Sequence, residues 1–289
     1  MTSVTASYQG GLGMAEPTHT QIATTITSSS KSNTYGWLGQ FPAFREWVGP
    51  RTVKDMEAHV YAITNKHYES TIGINRDDME DDNLGIYAPM FAEMGRATAS
   101  FPDELVYKVL ADGFATACYD GQFFFDTDHP VNADHDGQGD DASVSNTIAG
   151  AESPWFLMDT SRPIKPIIHQ VRKAPQITAM TKADDEKVFD ANEYRYGVDL
   201  RCNVGYGFWQ MAIGSKSLLD DANLTTAYEM MRGFKADGGK ALGMKPKTLV
   251  VGTGNETKAW DLIDKALVAG GDSNRWYKKL NVVVSDELA

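Results

Sequence analysis

Between Val60 and Ile74 the chain carries two β-patterns in immediate succession. Val60 to Thr64 is short and rich in β-formers, Asn65-Lys66 supplies a polar turn, and Tyr68, Ser70, Ile72 and Ile74 alternate with Glu69, Thr71 and Gly73 at a period of two. The expectation is a two-stranded hairpin. A lone two-stranded ribbon is marginal in water, so this one must lie against its own body or another chain. The segments before it sharpen that demand. Residues 1 to 34 carry few large apolar groups, and from Thr18 to Thr34 ten of seventeen positions are Ser or Thr. Such a stretch cannot offset its ordering entropy by burying its own surface, so it is expected as an extended arm, either mobile or ordered against something else. From Tyr35 to Trp47 there are five aromatics in thirteen residues, interrupted by Gly36, Gly39 and Pro42. They either pin a loop to its own core or anchor it on a neighbouring subunit.

Composition sets outer bounds. With 289 residues, 42% hydrophobic and 23% charged, the chain can fill one large domain or two of ordinary size, which excludes disorder as the main state. A net charge of -12 argues against tight, sequence-independent binding to phosphate backbones. No apolar run approaches the ~20 residues a membrane-spanning helix needs, and no basic patch leads into an apolar stretch as in a secretory signal. Cys118 and Cys202 offer no disulfide framework and no cysteine-rich metal motif. The expectation is a soluble chain in a reducing cytoplasm.

After the ribbon, Asp77, Asp78, Glu80, Asp81 and Asp82 put five acids within six residues ahead of Tyr87, Met90, Phe91 and Met94 at helical spacing. Acids there complement the positive end of a helix dipole. Ser100 and Asp103 form a capping-box pattern around Pro102, and the apolar stripe resumes at Leu105, Val106, Val109 and Leu110. One long kinked helix, or two in series, is expected over residues 84–112. Short apolar or alternating runs at Trp155 to Met158, Ile164 to Val171, Tyr194 to Cys202 and Tyr206 to Ala212 suggest a mainly antiparallel sheet. A helical stripe runs from Ala222 to Phe234. Then Lys247 to Val251 (strand), Glu256 to Val268 (helix) and Asn281 to Val284 (strand) spell a β-α-β unit. Gly252-Thr253-Gly254 sits where a dinucleotide fingerprint would, but Thr257 replaces its third glycine.

The stretch CYDGQFFFDTDHP, residues 118–130, is the most enzyme-like. Asp126, Asp128 and His129 suggest a metal-dependent hydrolase, yet a catalytic metal needs three ligands in fixed geometry, and the next histidine, His135, lies in a glycine and aspartate loop. A turn stiffened by His-Pro is the competing reading.

The stretches KSNTYGWLGQFPAFREWVG, RDDMEDDNLGIYAPMFAEMGRA, YDGQFFFDTDHPV, FLMDTSRPIKPIIHQ and YGVDLRCNVGYGFWQMAIGS, in that order, resemble the Mu-like major head subunit (gpT) family of phage capsid proteins. The resemblance implies an α+β chain with the Hong Kong 97-like capsid fold. Its parts would be an N-terminal arm (1–49), an extended β-hairpin loop (50–76), a spine helix with peripheral domain (77–216) and an axial domain (217–289). The sheet of residues 155–213 would then be largely peripheral. It implies a structural protein rather than an enzyme, without cofactor or metal. Copies would assemble in the host cytoplasm into hexamers and pentamers of an icosahedral shell around double-stranded DNA. A separate scaffolding protein, a portal and a cement or decoration protein would be its partners. A cellular nanocompartment shell of the same fold is the alternative. One block, LTTAYEMMRGFKADGGKALGMKPKTLVVG, stands after FLMDTSRPIKP where the resemblance would place it before, implying a rearranged axial domain. On this reading Trp37, Phe41, Phe44 and Trp47 anchor contacts near the loop base, and Arg45, Arg51 and Lys54 pair with acids on neighbouring copies; internal packing or a solvated face is the alternative for each.

Overall fold

The computed structural model describes residues 2–36, 38, 61–82, 85–132, 139–268 and 270–288. In chain order these form α1 (Thr2–Leu12), β1 (Ala23–Thr27), β2 (Ser32–Thr34), β3 (Ala62–Thr64), β4 (Lys66–Asn75), α2 (Arg76–Glu80) and α3 (Tyr87–Asp112). There follow β5 (His129–Asn132), β6 (Asp141–Val144), β7 (Thr147–Ile148), β8 (Trp155–Met158), β9 (Ile167–Met180), α4 (Glu186–Ala191) and β10 (Glu193–Tyr206). The last elements are β11 (Ala212–Ser215), α5 (Asp221–Gly233), β12 (Thr248–Gly252), α6 (Glu256–Ile263) and β13 (Asn281–Ser285).

Two sheets organise the body. The first has four strands in the order β1-β9-β10-β4, with β1 parallel to β9 and the other pairs antiparallel. The second has five strands in the order β13-β12-β8-β11-β7. Its central strand β8 is buried at all four positions, as expected for an apolar strand covered on both faces. The β-α-β unit forms as expected, with β12 and β13 parallel in register from Thr248↔Asn281 to Gly252↔Ser285. The strands of 155–213, however, do not share one sheet: β8 and β11 join β12, while β9 and β10 pair with each other.

The expected hairpin is replaced by two separate pairings. Strand β3 pairs with β2, and β4 pairs along ten residues with β10, so Asn65 joins two sheets rather than closing a turn. Length decides this. A ten-residue strand completes far more ladder bonds against fourteen-residue β10 than against three-residue β3.

The chain between Tyr87 and Asp112 is one helix of 26 residues that continues through Pro102. Both halves are held by burial, Phe91 and Met94 on one side of the proline and Val106, Tyr107 and Leu110 on the other. Asp103 does not close a capping box; its carboxylate accepts the backbone N–H groups of Thr18 and His19 at 2.8 and 2.9 Å. The acid cluster does act at helix starts: Asn75 caps α2 with Asp77 and Asp78 in its first turn, and Asp82 accepts N–H groups of Ile86 and Tyr87 at the start of α3.

The first residues differ from the expected extended arm. Helix α1 lies against α3 and buries Val4 and Tyr8 beside Phe91, Met94, Ile74, Tyr196 and Val198. Glycines permit this contact. A Cβ on Gly11 would sit 1.8 Å from the Ala92 carbonyl oxygen, and one on Gly95 would sit 2.1 Å from that of Tyr8. After α1 the Ser/Thr-rich stretch orders against its own chain, with β1 added to the edge of the first sheet.

Candidate functional site

The feature that most distinguishes this fold is the root from which residues 35–61 depart. Strands β2 and β3 pair antiparallel from Ser32↔Thr64 to Thr34↔Ala62, and the Tyr35 N–H donates to the Tyr61 carbonyl at 2.8 Å. The chain therefore leaves and returns at neighbouring points. Beneath them Gln170, fully buried on β9, binds both arms. Its Oε1 accepts from the Tyr35 hydroxyl at 2.7 Å, and its Nε2 donates to the Ile63 carbonyl at 3.0 Å and to Asn65 Oδ1 at 2.9 Å. Asn65 in turn donates to Ser28 Oγ and the Ser30 carbonyl at 3.0 and 2.9 Å, while the Ser28 and Ser30 hydroxyls donate to Asn33. Tyr61 accepts the Tyr206 N–H at 2.8 Å, and burial pushes its hydroxyl up to about 12. These bonds tie β2, β3 and β9 together at the root.

Trp37, Phe41, Phe44, Arg45, Trp47, Arg51 and Lys54, the expected contact residues, lie outside the described residues. Of their segment, Tyr35, Gly36 and Leu38 are described, and Tyr35 and Leu38 are buried in the main core. Sequence reasoning missed Gln170 and Asn65. Their only signal was a polar residue within an apolar run and one beside a strand.

The enzyme-like stretch resolves into a buried polar hub. His129 is fully buried, stacked on Trp209 with ring centroids 4.0 Å apart and planes 8° from parallel. Its Nδ1 lies 2.7 Å from Asp120 Oδ2, and its Nε2 lies 3.2 Å from Asn146 Oδ1. The Asn146 amide donates to the carbonyls of Phe124 and Ala212, which fixes its Oδ1 as the acceptor. Cys118 Sγ donates to Asp120 Oδ1 at 3.0 Å. Burial raises the Asp120 carboxyl, but hydrogen bonds from His129 and Cys118 outweigh it and hold the group below its ordinary value. Burial and then the Asp120 charge push the Cys118 thiol far up.

Cys118, Asp120 and His129 bring three metal-type ligand atoms within 4.8 Å of one another, the one such group among the described residues. Their hydrogen bonds are mutual, and burial with the Asp120 charge disfavours the thiolate that a cysteine nucleophile requires. The thiol also points its hydrogen at a carboxylate rather than at the histidine that a cysteine nucleophile needs as base. The hub locks loops together. The carboxylates of Asp126 and Asp128 do not join it, although the Asp126 backbone pairs with Asn146. Asp126 accepts the N–H groups of Phe123 and Thr127, and its hydrogen bond with Asp128 raises the exposed Asp128 carboxyl. The hydrolase arrangement expected of Asp126, Asp128 and His129 is therefore not formed, because both His129 nitrogens are taken by Asp120 and Asn146.

Gly252 at the end of β12 has a packing role. A Cβ on Gly252 would lie 2.2 Å from the Leu288 carbonyl oxygen, so the close approach of the 286–288 turn requires glycine there.

Comparison with known proteins follows the same lines. Residues 1–288 match the family described as the Mu-like prophage major head subunit gpT. The chain is 49% identical over 294 residues to the major capsid protein of Escherichia phage Mu, covering 100% of this chain and 96% of that protein. It is 45% identical over 291 residues to the Mu-like prophage FluMu major head subunit of Haemophilus influenzae, covering 98% and 94%. Among solved structures, the procapsid of bacteriophage JBD30 matches with a TM-score of 0.88 at 50% identity, covering 99% of this chain and 96% of that one. The JBD30 capsid matches with a TM-score of 0.81 at 36% identity, covering 98% and 94%. These colinear matches overturn the expected rearrangement of the axial region: the block from Leu224 to Gly252 stands in the order of its relatives. The chain belongs to the Mu-like prophage major head subunit gpT family, and it is a capsid subunit of a tailed phage and a component of the virion.

Proposed function

We propose that copies of this chain close into hexamers and pentamers of an icosahedral shell around double-stranded DNA, joined by residues 35–61 lying across a neighbouring copy. The Gln170-clamped ribbon root carries this reading. A root bound by Gln170 on both arms has little freedom at its base, as a contact reaching another subunit requires.

On this reading α3 is the spine helix and the first sheet belongs to the peripheral domain. The five-stranded sheet with α5 and α6 forms the axial domain. The extended loop then runs between β2 and β3, rather than over 50–76, and the axial domain draws β7, β8 and β11 from before residue 217. The arm (1–49) includes α1. Trp37, Phe41, Phe44 and Trp47 contact the neighbour near the loop base, with Arg45, Arg51 and Lys54 paired to its acids. A separate scaffolding protein and a portal are further partners. The JBD30 capsid has also been solved decorated with minor capsid protein trimers, which supports a decoration partner here. The reading assigns the chain no catalytic activity.

Size-exclusion chromatography with negative-stain electron microscopy tests it, on the chain expressed alone and with its scaffold. Rings, tubes or shells tens of nanometres across are expected; a monomer or dimer under both conditions would contradict the reading. Trp47→Ala particles that form and survive heating like the wild type would remove Trp47 as an anchor.

A further inference from the structure

His169 stands out on β9 as a buried polar group with no partner. It is 5% exposed, and neither ring nitrogen meets a hydrogen-bond partner among the described residues. Most buried polar groups are paired, so an orphaned imidazole requires a reason. His19 of the turn between α1 and β1 meets its ring edge-on with centroids 5.3 Å apart. His19 itself is held. Its Nδ1 lies 2.6 Å from Asp103 Oδ1, and the same carboxylate takes the N–H groups of Thr18 and His19, while the Thr18 hydroxyl bonds Tyr107. Asp103 is therefore saturated by the turn and has nothing to offer His169.

The other groups facing His169 give a proton no better reception. A cavity of about 40 Å³ beside it is walled by Thr98, Phe101 and Pro102 of α3 and by Cys202 of β10. Lys173 of β9 also lines it, a cation already paired with Asp199. The strand itself is pinned from both sides, since His169 stands in register with Thr25 of β1 and Val204 of β10. The turn carrying His19 is the one of these covers that belongs neither to the sheet nor to α3, and it is tied down through Asp103, through Thr18 to Tyr107 and through Lys165 Nζ donating to the Thr20 carbonyl.

We propose that His169, His19 and Asp103 form an acid-released latch in which protonation of His169 expels the Thr18–Gln21 turn, loosening the N-terminal segment while the sheet stays paired. Once the turn lifts, His169 meets water and its charge is solvated. Burial, and then His19, lower its pKa from 6.5 to about 4, which sets the direction. A histidine depressed on folding stabilises the closed state above its free value, and that contribution is lost as pH falls toward the folded one. The latch is a property of this chain's own fold and stands independently of how copies assemble.

Hydrogen exchange of the full-length chain, corrected for intrinsic rates, reads the latch in peptides spanning residues 13–25. From pH 7 to pH 4.5 the wild type is expected to lose protection at Thr18 and His19 on the order of 50-fold, while β10 keeps its own. His169→Phe, which fills the site without a titrating group, is expected to hold protection at pH 4.5, and His169→Gln serves should the phenylalanine pack poorly. Asp103→Asn is expected to loosen the same peptide at every pH. Protection independent of pH in the wild type, or lost equally in both His169 variants, would overturn the proposal.

Discussion

The contact between α1 and α3 makes an unusually sharp prediction, because two opposing effects act on the same kind of substitution. In a helix interior Ala is favoured over Gly by about 0.5–1 kcal/mol. Gly10 of α1 has nothing within 4 Å of an added Cβ, so Gly10→Ala should follow that rule and stabilise the protein. Gly11 and Gly95 should do the reverse. Their Cβ atoms would lie 1.8 and 2.1 Å from backbone carbonyl oxygens, where 3.0 Å is the closest approach real Cβ atoms make. The Gly11 position alone requires the helices to part by more than 1 Å. A gap of that order forfeits roughly a quarter to a half of the dispersion contact across it, and overpacking typically costs about 1–3 kcal/mol. The side chains at stake are Val4 and Tyr8, 4% and 1% exposed. Net of propensity, Gly95→Ala should destabilise by about 1–2 kcal/mol, or a few degrees in Tm. Thermal unfolding of the unassembled chain, with hydrogen exchange over residues 2–12, measures both. If Gly11→Ala and Gly95→Ala raise Tm as Gly10→Ala does, the close approach of the two helices is wrong.

Three further outcomes follow from the buried polar groups and the close glycine. His129→Ala leaves the buried Asp120 carboxylate without its histidine hydrogen bond and should cost about 1.5–3 kcal/mol by chemical denaturation. Because Asp120 is held below its ordinary value when folded, its contribution is present at neutral pH and lost as pH falls below the usual carboxylate range; Asp120→Asn should flatten the acid limb of the stability curve. Gly252→Ala should destabilise by about 1–3 kcal/mol against the Leu288 carbonyl, whereas Gly254→Ala, whose nearest neighbour is Ser153 Oγ at 3.6 Å, should be close to neutral by thermal melting.

Some of this structure was legible in the residues and some was not, for identifiable reasons. Trp155 to Met158 and the β-α-β unit were readable because their apolar runs are bounded by turn residues, and β12 and β13 pair in parallel around one helix. The continuity of α3 through Pro102 was half-readable. The stripe on both sides of the proline is in the sequence, but the burial that holds both halves together comes from elements far along the chain. Helix α1 was missed because Gly10 and Gly11 lower local propensity while enabling the tertiary contact that stabilises it. The hairpin failed for a related reason: period two shows which residues share a face, and nothing in it says that β10, more than a hundred residues later, is the better partner for β4. The hub of Asp120, His129 and Asn146 was seen only through His129, since hydrogen-bond partners have no sequence periodicity. The family resemblance rested on long segments rather than on any motif with chemistry, and so it identified the shell role without revealing the ribbon root.

The account's central claim is that residues 35–61, held at their root by Gln170, bridge neighbouring copies. A photo-crosslinking amino acid in place of Trp47 in assembled particles tests it most directly, with denaturing electrophoresis and mass spectrometry as the readout. The account predicts a ladder of covalent dimers and higher multimers, sharply weakened when Gln170→Leu unclamps the root. Crosslinks confined within single chains in well-formed particles would contradict it.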